Sequence, residues 1–166
     1  MPIHLPDNIH DNCKPLVWLL GTWAGSGHGA YPTIEDFHFR QEVIFQQDGR
    51  PFIHYMSTSV LVDEDGNKIR DAAQETGFIR PQPDRTLEFV MAHNIGFTEV
   101  WHGEIHPERP SFEMATEVVT RTATAKEYTA GKRLYGYVEG QLMYAFDMAA
   151  MGQELQPHLW AQLQRQ

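Results

Sequence analysis

Gly21-Thr22-Trp23-Ala24-Gly25-Ser26-Gly27-His28-Gly29, running into Ala30-Tyr31-Pro32-Thr33-Ile34, is the stretch on which the fold turns. Gly25, Gly27 and Ala30 satisfy a loose dinucleotide fingerprint. A phosphate-binding loop of that kind must open a helix, and here Tyr31-Pro32 follows instead. The alternative is a first β-strand in which the glycines permit a sharp bend and Trp23 plugs one end of a barrel.

Downstream, the pattern is strand after strand. Phe37, Phe39, Val43 and Phe45 alternate with His38, Arg40 and Glu42, a period of two. Phe52–Met56 leads towards Val60–Val62, Gly77–Ile79 lies in the next strand, and Leu87, Phe89 and Met91 alternate again. Phe97–Ile105, Phe112–Val119, Glu127–Thr129, Leu134–Val138 and Leu142–Met148 complete the series. Turns are expected at Asp48-Gly49, Asp65-Gly66-Asn67, Asn94, Ala130-Gly131 and Glu139-Gly140. This spacing approaches the roughly 8–12 residues of an all-β barrel or sandwich. Together with the strand through Trp23 it predicts about ten strands, and the short connections make them antiparallel.

The two ends read differently. Asn12–Leu20 offers a cap, Pro15 in a first turn and apolar Leu16, Leu19 and Leu20, predicting a short helix stopped at Gly21. After Gly152, Leu155, Leu159 and Leu163 stand four apart beside Trp160, predicting a C-terminal helix. Pro157 is tolerated only in its first turn, which puts His158 near that helix's N-terminus.

Composition narrows the function classes. The 166 residues, 42% hydrophobic and 21% charged, suit one globular domain spanning 1–166. A formal net charge of −9 argues against nucleic acid, which needs clustered Lys and Arg. No apolar run approaches the ~20 residues of a membrane span, and no basic amphipathic helix suggests a membrane surface. Cys13 is the only cysteine, so no intrachain disulfide forms. Met1-Pro2-Ile3-His4 has no signal-peptide pattern, and a cytoplasmic location is expected.

The Gly-x-Trp of the first strand resembles that of lipocalin and fatty-acid-binding barrels. The longer run, Gly21-x-Trp23-x-Gly25-x-Gly27 into Tyr31-Pro32-Thr33-Ile34, resembles the signature of the nitrobindin family. The resemblance continues through Glu75-Thr76-Gly77-Phe78-Ile79-Arg80, Arg133-Leu134-Tyr135, Leu142-x-Tyr144 and Met148-Ala149. It closes on Leu155-Gln156-Pro157-His158-Leu159-x-Ala161-x-Leu163-x-Arg165, so it spans the chain from about Leu19 to Arg165 in one order.

What the resemblance implies is a ten-stranded barrel whose mouth holds ferric heme b, with nitric oxide and peroxynitrite as small-molecule ligands and isomerisation of peroxynitrite to nitrate as the activity. By position, His158 is the implied axial ligand, Thr33 lies beside the heme, and Met148 lines the opposite face. The family pattern often carries a histidine two residues before the glutamate of the Glu75-Thr76-Gly77 segment, where this chain has Ala73. A more apolar distal pocket with one fewer hydrogen-bond donor is therefore expected. A homodimer is a further possibility. The chemistry of His158 agrees in part: neutral imidazole is a normal heme ligand, and a helix N-terminus disfavours the imidazolium.

The other histidines carry no such signature. His4 and His10 lie in the polar start, and His28 and His93 near strand ends at the rim. His38 and His54 occupy strands and face either side. His102 and His106 are four apart, but Pro107 and the strand pattern remove the helical face of a zinc site. No Gly-x-Ser-x-Gly elbow marks a nucleophile, and Met143, Met148 and Met151 read as core filling. The rival from another class is a carrier of fatty acid or another apolar ligand, with Arg40, Arg80 or Arg133 inside the barrel for a carboxylate. A heme-linked nitric oxide sensor or store acting through a partner protein is the third.

Overall fold

Phe97–Ile105 alternates buried and exposed residues without a break, with every odd position inward. The same period recurs round the chain, so each strand buries one face. The computed structural model describes residues 6–166. Its ten strands are β1 Gly21–Tyr31, β2 Ile34–Gln46, β3 Ile53–Val62, β4 Lys68–Pro81, β5 Thr86–His93, β6 Phe97–Ile105, β7 Ser111–Arg121, β8 Tyr128–Val138, β9 Gln141–Ala150 and β10 Gln156–Arg165. Each pairs antiparallel with its neighbours, and β10 joins β1 to close the barrel, which removes both sheet edges.

The expected number of strands is right, but for a reason that needs correcting. The turn anticipated at Ala130-Gly131 is absent: Tyr128-Thr129 and Leu134–Val138 belong to one continuous strand, β8, with a register shift between Tyr128 and Ala130, while Glu127 lies just before it. The C-terminal helix is likewise overturned, since Gln156–Arg165 is a strand. A spacing of four fits a strand's period of two as well as a helix, and Ala161 and Leu163 are buried on the inner face. Pairing with both β1 and β9 decides the matter.

The N-terminal helix exists as a 3-10 helix over Asp11–Leu19, kinked at Leu16. Its cap is His10 rather than Asn12, with the His10 ring accepting the Asn12 N–H at 3.1 Å. His4 lies outside the described residues. The helix closes one end of the barrel with Cys13, Leu16, Trp18 and Leu19 buried. Trp23 is the expected plug: it is fully buried, donates its indole N–H to the Leu19 carbonyl at 2.8 Å, and lies under the Arg165 guanidinium. Among the described residues, no helix is long and apolar enough to cross a membrane.

The glycines of β1 make room for aromatic rings. A Cβ at Gly29 would stand 2.1 Å from the Phe37 ring, and one at Gly27 would stand 2.5 Å from that of Phe39. Phe37 and Phe39 of β2 thus fold over β1 where no side chain opposes them.

Candidate functional site

Five hairpins, joining β1 to β2, β3 to β4, β5 to β6, β7 to β8 and β9 to β10, ring the barrel end away from the 3-10 helix. His158 stands at this end, at the start of β10. Gln156 pairs with inward Met148, Pro157 with Asp147, and Leu159 with inward Phe146. One residue more is used on β10 than on β9, so His158 is the extra residue of a β-bulge and both it and Leu159 turn to the inner face. Pro157 sits in the same irregularity, where its missing N–H is tolerated.

The half-buried His158 ring is enclosed by Tyr31, Phe37 and Phe146, with ring centroids 5.3, 6.0 and 5.8 Å away. Its Nδ1 lies 3.0 Å from the Ala30 carbonyl oxygen. A carbonyl only accepts, so Nδ1 carries the proton and Nε2 keeps its lone pair. Burial lowers the pKa of His158, and the charges of Lys126 and Arg133 add to that, while the bond to Ala30 works the other way. The neutral ring expected from a helix N-terminus is therefore favoured by a different cause, the apolar wall of a strand.

The other expected site residues are spread around the same end. Met148 is buried on β9, on the wall beside His158. Thr33 is exposed in the β1–β2 turn, three residues after the Ala30 that holds His158. Ala73 is exposed on β4, and its carbonyl accepts the Ser59 hydroxyl at 3.2 Å. It lies in a second bulge, where Ala72 and Ala73 together oppose Ser59.

Sequence reasoning missed a buried polar layer beneath the mouth. Arg133 Nη2 donates to both Glu75 carboxylate oxygens, at 3.0 and 2.9 Å, across 58 residues of chain. Burial acts to raise the Glu75 pKa, but Arg133, His93 and the Tyr55 hydrogen bond outweigh it and hold the carboxyl below its ordinary range. His93, expected at the rim, faces inward with Nε2 2.6 Å from Glu99, and Tyr128 donates its hydroxyl to the same carboxylate. Glu75 and Arg133 stood in the recognised motifs, but nothing local in them signals pairing.

This layer bears on the carrier reading. Arg40 is exposed and donates to Gly66, and exposed Arg80 pairs with Glu88. Arg133 alone of the three faces inward, and Glu75 already holds it. Arg133 Nε has no hydrogen-bond partner, but the charge of this one inward arginine is already balanced by Glu75.

The site offers one free imidazole nitrogen among aromatic rings. Among the described residues, no group of three or more His, Cys, Asp or Glu side chains could hold a metal ion. A lone imidazole with a free Nε2 in an aromatic wall fits a metal that brings its own equatorial ligands, as a porphyrin does. The backbone carbonyl on Nδ1 is the usual outer partner of a ligating histidine.

Comparison with known proteins agrees. The model of the THAP4-like, heme-binding beta-barrel domain matches residues 12–165. The chain is 58% identical, over the full length of both, to a peroxynitrite isomerase of Nocardioides sp.. It is 40% identical over 163 residues to a ferric nitrobindin-like protein of Streptomyces griseus, covering 98% of this chain and 86% of that one. The crystal structure of Rv2717c from M. tuberculosis superposes with a TM-score of 0.86 at 36% identity, covering 95% of this chain and 99% of that one.

Proposed function

This chain belongs to the family of THAP4-like, heme-binding β-barrel domains, and we propose that it carries ferric heme b on His158 and isomerises peroxynitrite to nitrate, with nitric oxide as a further ligand of the same iron. The observation that carries this reading is the bulged His158 itself, whose Nδ1 proton is spent on Ala30 and whose Nε2 is left to bind. The activity is supported by the peroxynitrite isomerase of Nocardioides sp., which matches this chain end to end.

When bound, the heme would supply a Lewis-acidic ferric iron for the rearrangement of peroxynitrite to nitrate. Peroxynitrite and nitrate are isomers, so the net reaction consumes no proton, electron or co-reactant. The chain's own part is to bind, orient and exclude water. His158 Nε2 would hold the iron, and the Ala30 carbonyl fixes the tautomer that leaves it free. Phe37, Phe146 and Leu159 supply apolar surface around the ring, which keeps the imidazole neutral and ready to ligate. Thr33, Met148 and Ala73 would line the heme pocket, with Met148 on the wall beside His158.

The test is the visible spectrum of the purified protein after adding hemin, followed by stopped-flow decay of peroxynitrite with nitrate measured as product. A Soret band at one heme per chain and accelerated formation of nitrate are expected. No stoichiometric Soret band, with saturable uptake of a fatty acid instead, would replace this reading with the carrier.

A further inference from the structure

The β1–β10 ladder ends at Gly29 and Leu159, before the mouth is reached. Beyond that point side chains replace it. His158 donates to Ala30, and the next residue, Tyr31, reaches past β10 to β9. The Tyr31 hydroxyl accepts the Ala150 N–H at 2.9 Å and offers its proton to the carbonyls of Met148 and Ala150, at 3.0 and 3.2 Å. Its ring meets that of His158 nearly edge-on, 5.3 Å away at 75°. Tyr31 is only 5% exposed, and Ala150 and Met148 are buried with it.

We propose that Tyr31 is a positioning residue: its hydroxyl latches β1 to the end of β9 across the bulged start of β10, and its ring holds the plane of the His158 imidazole. The proposal rests on His158 as the heme ligand. An imidazole on a bulge has no ladder hydrogen bond on the β1 side to fix its backbone. The Ala30 bond fixes one ring atom, and rotation about the axis through that atom remains. A rigid ring against one face of the imidazole, itself pinned by three hydrogen-bond contacts, removes that freedom. The same hydroxyl grips the Met148 carbonyl, so one side chain sets both the histidine and the methionine assigned to the pocket.

Tyr31→Phe keeps the ring and removes the latch. Tyr144→Phe is the control: Tyr144 is also 5% exposed and loses its buried hydroxyl bond to Gln41, with no ring contact to His158. Both variants are loaded with hemin. The rate of heme loss to excess apomyoglobin and the iron–histidine stretching band of the reduced protein are then measured. Tyr31→Phe is expected to lose heme roughly tenfold faster, the scale of outer-partner effects on metal sites, with a shifted or broadened band. Tyr144→Phe is expected to change neither. If the two variants lose heme at the same rate with unshifted bands, the latch is overturned. A second measurement uses the unaltered protein: heme binding is expected to slow hydrogen exchange of the Ala150 amide, and equal exchange with and without heme would also overturn it. Retention of heme by His158→Ala is a separate result that strikes the ligand assignment, not the latch.

Discussion

Arg133 and Glu75 form a two-pronged ion pair inside the barrel, with the Arg133 side chain 4% exposed and that of Glu75 11% exposed. The guanidinium also lies 4.6 Å over the ring of Phe146, the residue that packs on His158 from the other direction. Arg133, the one buried Lys or Arg among the described residues, is thus an aromatic ring away from the candidate ligand, and Glu75 balances its charge.

Breaking that pair is expected to be costly. Glu75→Gln leaves Arg133 charged and unpaired, a change worth about 3–5 kcal/mol of stability for buried pairs. The Glu75 carboxyl is held below its ordinary value, so its contribution is present above the unfolded value of about 4.3 and is lost as pH falls through the folded one. Urea denaturation of both proteins should therefore show a large gap at pH 7 that narrows below about pH 4. A gap that does not change with pH would show that Glu75 acts through packing alone.

His158→Ala should abolish stoichiometric heme binding while the apoprotein keeps its β-sheet circular dichroism. The ring lies at the mouth and is half-buried, whereas the barrel is held by pairs along all ten strands. A normal ferric spectrum in the variant would remove His158 from the iron.

Trp23→Ala should cost about 3–5 kcal/mol, the range for a fully buried large aromatic. The loss combines an empty plug, the Leu19 hydrogen bond and the face on which Arg165 rests. An unchanged urea midpoint for the apoprotein would contradict the plug.

Ala73→His should tighten binding of azide or cyanide to the ferric protein by about ten- to a hundredfold, the worth of one hydrogen bond to a charged group. Ala73 sits in the β4 bulge at the mouth end, on the opposite side of the strand order from β10, with no side-chain donor of its own. Equal dissociation constants in the two proteins would take position 73 out of the distal site.

Period-two alternation was enough to find most strands, because an inward face must be apolar whatever its partner is. Phe37, Phe39 and Val43, or Leu87, Phe89 and Met91, declare that face locally. The glycine run could be placed on a strand for the same reason, since its refusal to open a helix is a property of Tyr31-Pro32 alone. His158 was reachable only through the resemblance, and its environment was then misread as a helix end.

What the sequence by itself determined was therefore the class of fold, the bent glycine strand with its Trp23 plug, and the identity of the candidate ligand. The tertiary structure alone decided that Gln156–Arg165 is a strand, that His158 occupies a bulge, and that Arg133 meets Glu75. The strand and the ion pair depend on partners distant in the chain, and the bulge on the register with neighbouring β9. Leucines four apart satisfy either period until β1, some 130 residues earlier, offers its open edge to β10. A bulge is a mismatch between two strands, so neither strand shows it alone. A buried ion pair is stable only because both charges are carried inward together, and no local pattern records that they meet.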